Sequence, residues 1–253
     1  MAKTKFGHPS AAEKRYARQL RKVARHSGGI TTSNTGADGL IANMTVYGKM
    51  MNEYADLITP WASRVATQMI EAVNISNLRS WTRTSRVIGA ELRKEYASSP
   101  QGVMARAMHA ENVKLIESIP RDAAQRAQEL SRQAMLGGKR VDEAAQEIAN
   151  TTGVSESKAT LIARTETAKA NANFTQARAQ EIGAERYWWR TMEDEAVRES
   201  HREMGSRSNS GETFVFDDPP DVDDDFGAHN PGEVPNCRCY AEPVIPGVDE
   251  PQE

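Results

Sequence analysis

From about residue 43 to residue 182, apolar side chains recur three and four positions apart. Few Pro or Gly interrupt them, and Ala, Glu, Arg, Gln and Met fill the rest. That period predicts helix throughout. Residues 43–73 and 76–97 read as two longer helices, with Pro60 kinking or breaking the first. The SSPQG stretch at 98–102 reads as a break. After a short apolar patch (Val113, Leu115, Ile116, Ile119), Pro120 suits the first turn of a new helix. Its face, Ala123, Ala127, Leu130 and Ala134, stops at Gly137-Gly138. Val141, Ala144, Ala145, Ile148 and Ala149 mark the next helix. Ser155 is the expected N-cap of the last long one, with Glu156 in its first turn. Ala163, Ala170, Phe174 and Ala177 form its face, and Gly183 ends it.

Beyond Gly183 the period changes. ERYWWRT (185–191), TFVF (213–216) and CYAEPVI (239–245) are short and aromatic or β-branched, which predicts strands. The Gly-, Ser-, Pro- and Asp-rich segments between them read as loops. Three short strands make a poor core, so this module is expected to need a metal, a disulfide or a partner surface. Residues 1–42 show only a thin apolar stripe (Ala11, Tyr16, Leu20, Val23) followed by SGGITTSNTGADG. They are expected to be a basic, largely disordered tail and linker. The fold class expected is mainly α with a small β-containing C-terminal module (α+β). Its parts are the tail at 1–42, a helical region at 43–119, a domain at 120–245 (helices 120–182, β module 184–245) and an acidic tail at 246–253.

Charge sharpens this picture. The net charge of -3 conceals eight Lys/Arg against one acid in residues 1–26 and four Arg against seventeen acids in 193–253. The basic end is suited to phosphates, with Lys14, Arg15, Arg18, Arg21, Lys22 and Arg25 as candidate contacts and Tyr16 and Phe6 among them. No DNA-reading motif accompanies them, so such binding would be sequence-tolerant and salt-sensitive. The acidic end repels DNA. A mean hydropathy of -0.65 and the lack of an 18-residue apolar run exclude a membrane span. The N-terminus lacks the apolar core of a secretory signal, and two cysteines are too few for a disulfide scaffold, so a reducing cytosol is expected as the place of synthesis.

Both cysteines fall in HNPGEVPNCRCY (229–240). His201, His229, Cys237 and Cys239 supply the donor types of a structural Zn2+ site, although Cys-x-Cys is tighter than usual zinc spacing. The alternative is a strand in which Cys237 and Cys239 alternate, one buried and one exposed, with His201 a hydrogen-bonded anchor. In TMEDEAVRESH (191–201), helical spacing would put Asp194, Arg198 and His201 on one face. They would form either an acid/base and phosphate clamp or, the reading preferred, an ion pair that fixes a loop to the helices. Arg164 and Glu166, two residues apart, point in different directions. Each is free to meet a docking group, and Glu166–Arg198 and Arg164–Asp194 are the natural pairs. No Gly-rich phosphate loop, Ser-centred elbow or paired-His protease motif occurs.

Taken in order, LIARTETAKANANFTQARAQEIG, YWWRTMEDEAVRESHREMGS and PGEVPNCRC resemble the phage Mu F-like head-morphogenesis family, minor head proteins of tailed bacteriophages. The resemblance covers about residues 110–245 and makes Arg164, Thr165, Glu166, Thr191, Asp194, Arg198, His201, Asn236, Cys237, Arg238 and Cys239 signature positions. Where many members carry a His directly before the closing motif, this chain has EVP, and its His229 lies further upstream. The resemblance implies a non-enzymatic minor head protein inside the virion, made in the bacterial cytoplasm. Its implied partners are the portal, the major capsid or scaffolding protein and, through the basic end, packaged DNA, with roles in assembly and in DNA packaging or ejection. Two rival expectations follow from the residues. One is a metal-dependent nuclease on His201, Glu203, His229 and the cysteines; the other is a DNA-binding accessory factor.

Overall fold

The computed structural model describes residues 6–84, 100–247 and 249. Seven helices and five short strands appear among them: α1 (Ser10–Ser33), α2 (Met44–Leu57), α3 (Thr59–Thr84), α4 (Pro100–Met135), α5 (Val141–Ala149), α6 (Thr151–Glu181), β1 (Arg186–Arg190), α7 (Glu199–Asn209), β2 (Phe214–Val215), β3 (Asp221–Asp223), β4 (Gly227–Ala228) and β5 (Tyr240–Pro243). The fold is mainly α with a small antiparallel β module, as the sequence pattern predicts. No helix among the described residues is long and apolar enough to cross a membrane. The described residues divide into two compact units, one within 14–67 and 109–163, the other within 1–13, 68–108 and 164–253.

The first unit holds a core of Leu40, Ile41, Tyr47, Met51, Ala123, Ala127, Leu130, Ala144 and Ile148. Asn43 caps α2, its Oδ1 accepting from Val46 N–H at 3.0 Å. Pro60 sits in the first turn of α3, where its missing N–H costs nothing, so the expected helix 43–73 is broken at Ile58.

Three expectations fail in this unit. Residues 10–33 of the expected disordered tail form a 24-residue helix, α1. Its Tyr16, Leu20, Val23, Ala24, Ser27 and Thr31 are buried at helical spacing. The lower part of that face is polar yet satisfied, because Ser27 and Thr31 hydroxyls donate to the carbonyls of Val23 and Ser27. Gly28, which suggests a linker, instead permits close approach, since a Cβ there would fall 1.8 Å from Thr152 Oγ1. Pro120 does not open a helix but lies inside α4. Ile116, Ile119, Ala123 and Ala127 continue one buried face across it, and that burial offsets the ~3 kcal/mol an interior proline costs. Ser155 is not a cap. Asn150 alone separates α5 from α6, so α6 starts at Thr151 and Ser155 is buried within it.

In the second unit the three-stranded sheet has the order β2-β1-β5, antiparallel throughout. Tyr187 pairs with Phe214 and Pro243, and Trp189 with Ala241. Strand alternation turns Tyr187 and Trp189 into a core with Phe6, Trp81, Ala179, Val197, Met204, Phe216, Val234, Cys237, Cys239 and Ile245. The predicted strands are therefore found, though shorter than the sequence suggests. A two-stranded hairpin, β3–β4, forms inside a stretch expected to be loop. The expected boundary between helices 43–73 and 76–97 is absent, because α3 runs unbroken from Thr59 to Thr84. Residues 85–97 of the second helix and 98–99 of the expected break lie outside the described residues, and 100–102 of that break open α4 instead.

Candidate functional site

The signature side chains gather where the segment before β5 meets α6. Thr165, buried on α6, accepts a hydrogen bond at 2.9 Å from the N–H of Asn236. The neighbouring Arg164 donates to Asn236 Oδ1 at 2.7 Å, and its Nε faces Glu13 Oε1 at 3.5 Å. Asn236 adopts φ +64, a left-handed turn that Asn tolerates better than other non-Gly residues, and this lets backbone and side chain both address α6. Gly232, at φ +95, lies so close to α6 that a Cβ would meet Ala168 O and Cys239 O at 3.2 Å each. Glu13 is shielded by burial, which raises its pKa. Bonds and charges from His8 and Arg164 outweigh that, and the net shift is downward.

Residues 192–198 are a loop rather than the expected helix, so Asp194, Arg198 and His201 share no helical face. Both guessed pairs fail with it. Asp194 takes Arg238, whose Nη2 lies 2.8 and 2.7 Å from its two oxygens. Arg198 donates to Pro235 O at 2.9 Å and stacks over Phe226 at 5.3 Å. Arg164 goes to Asn236, and Glu166 faces Lys169 at 3.5 Å. Thr191 packs on Gly205 of α7, where a Cβ would come within 3.0 Å of it.

Beneath this polar layer lies the sulfur and imidazole cluster. Arg198 precedes α7, which places His201 in its first turn, 1% exposed. His201 Nδ1 lies 3.5 Å from Cys237 Sγ and 3.5 Å from Cys239 Sγ. Neither cysteine is exposed, contrary to the alternating-strand expectation, because β5 begins only at Tyr240 and Cys237 lies in the turn before it. The Cys237 thiol is pulled down chiefly by its bond with Cys239, with His201 adding to this against burial. Cys239 is pushed up by the same bond and by burial. On its other side, His201 Nε2 stands 3.9 Å from Asp223 Oδ2. His229 Nδ1 donates to Gly227 O at 2.8 Å, and Trp189 packs edge-on against both imidazoles.

The four residues expected to share one ion thus fall into two overlapping triads, His201–Cys237–Cys239 and His201–Asp223–His229. Glu203, included in the nuclease expectation, points to solvent from α7 and belongs to neither. Asp223 was hidden in sequence by its acidic neighbours in DVDDD, and nothing in that run singles it out. In the other unit, Lys14, Arg15, Arg18, Lys22 and Arg25 line the exposed side of α1, Arg21 is half-buried, and Arg25 pairs with Glu156 at 2.6 Å.

Residues 125–242 match the family described as Phage Mu protein F like protein. This part of the chain is similar to the phage Mu F-like family. The family is one of structural head-morphogenesis proteins. The chain is also 37% identical over 139 residues to an uncharacterized protein of Haemophilus influenzae. That alignment covers 55% of this chain and 29% of the relative, so the chain spans under a third of the relative's length. No solved structure matches. The Mu F-like stretch contributes residues to both compact units, and every signature position lies in its part of the second.

Proposed function

We propose that this chain is a minor structural protein of a tailed-phage head. In this reading it associates with the portal, supports capsid assembly and presents the basic face of α1 to packaged DNA. The observation that carries the reading is how the signature side chains are used: Arg164, Thr165 and Asn236 bond together, as do Asp194 and Arg238, while Arg198 holds the Pro235 carbonyl. The first group fastens the segment before β5 to α6 and the other two fasten the 192–198 loop to that segment, which is the work of a rigid assembly part. The exposed Lys14, Arg15, Arg18, Lys22 and Arg25 support contact with phosphates.

The test is purification of assembled particles from cells that express the portal and capsid proteins with the tagged chain. Co-sedimentation with heads, lost when the portal is omitted, is expected. A chain that stays in the soluble fraction with portal and capsid present refutes the reading. Incubation with plasmid and Mg2+ or Mn2+ tests the nuclease alternative, and cleavage abolished by His201→Ala would replace the structural reading with it.

A further inference from the structure

We propose that His201, Cys237 and Cys239 form a binding site for one soft divalent cation of the zinc class, with Asp223 orienting the histidine. A tetrahedral zinc ion about 2.3 Å from sulfur and about 2.0–2.1 Å from nitrogen holds those ligand atoms about 3.6 Å apart. His201 Nδ1 stands 3.5 Å from each of the two sulfurs. One ring nitrogen carries a single proton or a single lone pair, so hydrogen bonding alone cannot serve both sulfurs equally, whereas a shared cation does.

The far side of the ring supports the same assignment. If Nδ1 binds metal, Nε2 must carry the proton, and a buried N–H then needs an acceptor. Nε2 is buried without a hydrogen-bond partner, and the group in front of it is the Asp223 carboxylate at 3.9 Å. Asp223 is held in place by the Phe226 N–H at 2.9 Å and the Ser200 hydroxyl at 3.3 Å. A carboxylate backing a metal-bound imidazole is the usual outer support of such a site. Thiolate and imidazole donors select zinc or a similarly soft ion over Mg2+ or Ca2+. The ion would join α7 directly to the turn before β5, in a module whose strands are two to five residues long. This assignment stands apart from the head-protein reading.

The full-length chain, expressed without a tag and purified without chelator, is assayed for metal by elemental analysis. One equivalent of zinc per chain is expected, with a drop in melting temperature on chelation and recovery when Zn2+ alone is returned. Replacement by Co2+ should give a thiolate-to-cobalt charge-transfer band, a readout on the unaltered chain that does not depend on a variant folding. Cys237→Ser and Cys239→Ser should each remove the band and the zinc, and His229→Ala should keep both. Metal-free protein with a melting temperature unmoved by Zn2+ overturns the proposal. So does a cobalt spectrum without the sulfur band, zinc retained by both cysteine variants, or zinc lost from His229→Ala, which would place the ion on the His201–Asp223–His229 side.

Discussion

Asn236 is the residue on which the attachment of the β5 segment to α6 turns, and its replacement separates two kinds of cost. Asn236→Ala removes the acceptor for Arg164 at 2.7 Å. That bond is exposed at the Asn end, so its loss is placed at about 1 kcal/mol, the middle of the range for net hydrogen-bond contributions. Alanine must also hold φ +64, which costs about 1–2 kcal/mol for a residue without Asn's tolerance. The sum is about 2–3 kcal/mol. Asn236→Gly loses the same bond but not the backbone penalty, and after allowance for glycine's greater unfolded freedom it should lie about 1 kcal/mol above the alanine variant. Urea unfolding followed by tryptophan fluorescence measures this, because Trp81, Trp188 and Trp189, three of the four tryptophans, belong to the same compact unit as Asn236. An alanine variant within about 0.5 kcal/mol of the parent, or a glycine variant less stable than alanine, refutes the argument.

Further outcomes follow from the same geometry. Thr165→Val leaves the Asn236 N–H without its acceptor and should lower stability by about 1–2 kcal/mol in the same urea assay. Gly232→Ala adds a Cβ against two carbonyls at a strained φ and should cost about 2–3 kcal/mol, with no gain in any solvent condition tested. Tyr47→Phe loses a buried hydroxyl pair with Thr31 at 2.9 Å and should cost about 1 kcal/mol, read by thermal unfolding. Glu13 has a depressed folded pKa, so its contribution is present above the unfolded value of 4.5 and is lost as pH falls from there through the lower folded value. Glu13→Gln should therefore flatten the acid side of the stability curve, and an unchanged acid slope would show that the His8 and Arg164 contacts are not maintained in solution.

What the sequence made legible was what local chemistry controls. The face Ala123, Ala127, Leu130, Ala134 and its stop at Gly137, at φ +73, follow from spacing and from glycine's freedom there. The aromatic run Tyr187-Trp188-Trp189 reads as a strand because alternation leaves no other economical burial. What stayed hidden depends on partners far along the chain. α1 reads as a tail because Ser27, Gly28 and Thr31 look like linker chemistry, and only the closeness of Thr152 explains the glycine. Pro120 reads as a helix start because its compensation, the Ile116–Ala123 face, is counted only once the helix is built. The clustering of His201, Cys237 and Cys239 was expected from residue type, yet Asp223 and the division into two triads arise only from the folding of the β3–β4 hairpin against α7. Charge signs alone misassigned Arg164 and Asp194, since many oppositely charged choices exist and geometry selects among them.

The sheet order β2-β1-β5 imposes a timetable on synthesis. Its middle strand leaves the ribosome first, and the neighbour that covers Trp188 to Arg190 is translated some fifty residues later. At about 5–20 residues per second this is a delay of roughly 3–10 s. During that interval Tyr187 and Trp189 have no completed sheet to enter, and they present an aggregation-prone aromatic edge to chaperones and to sister chains on the same message.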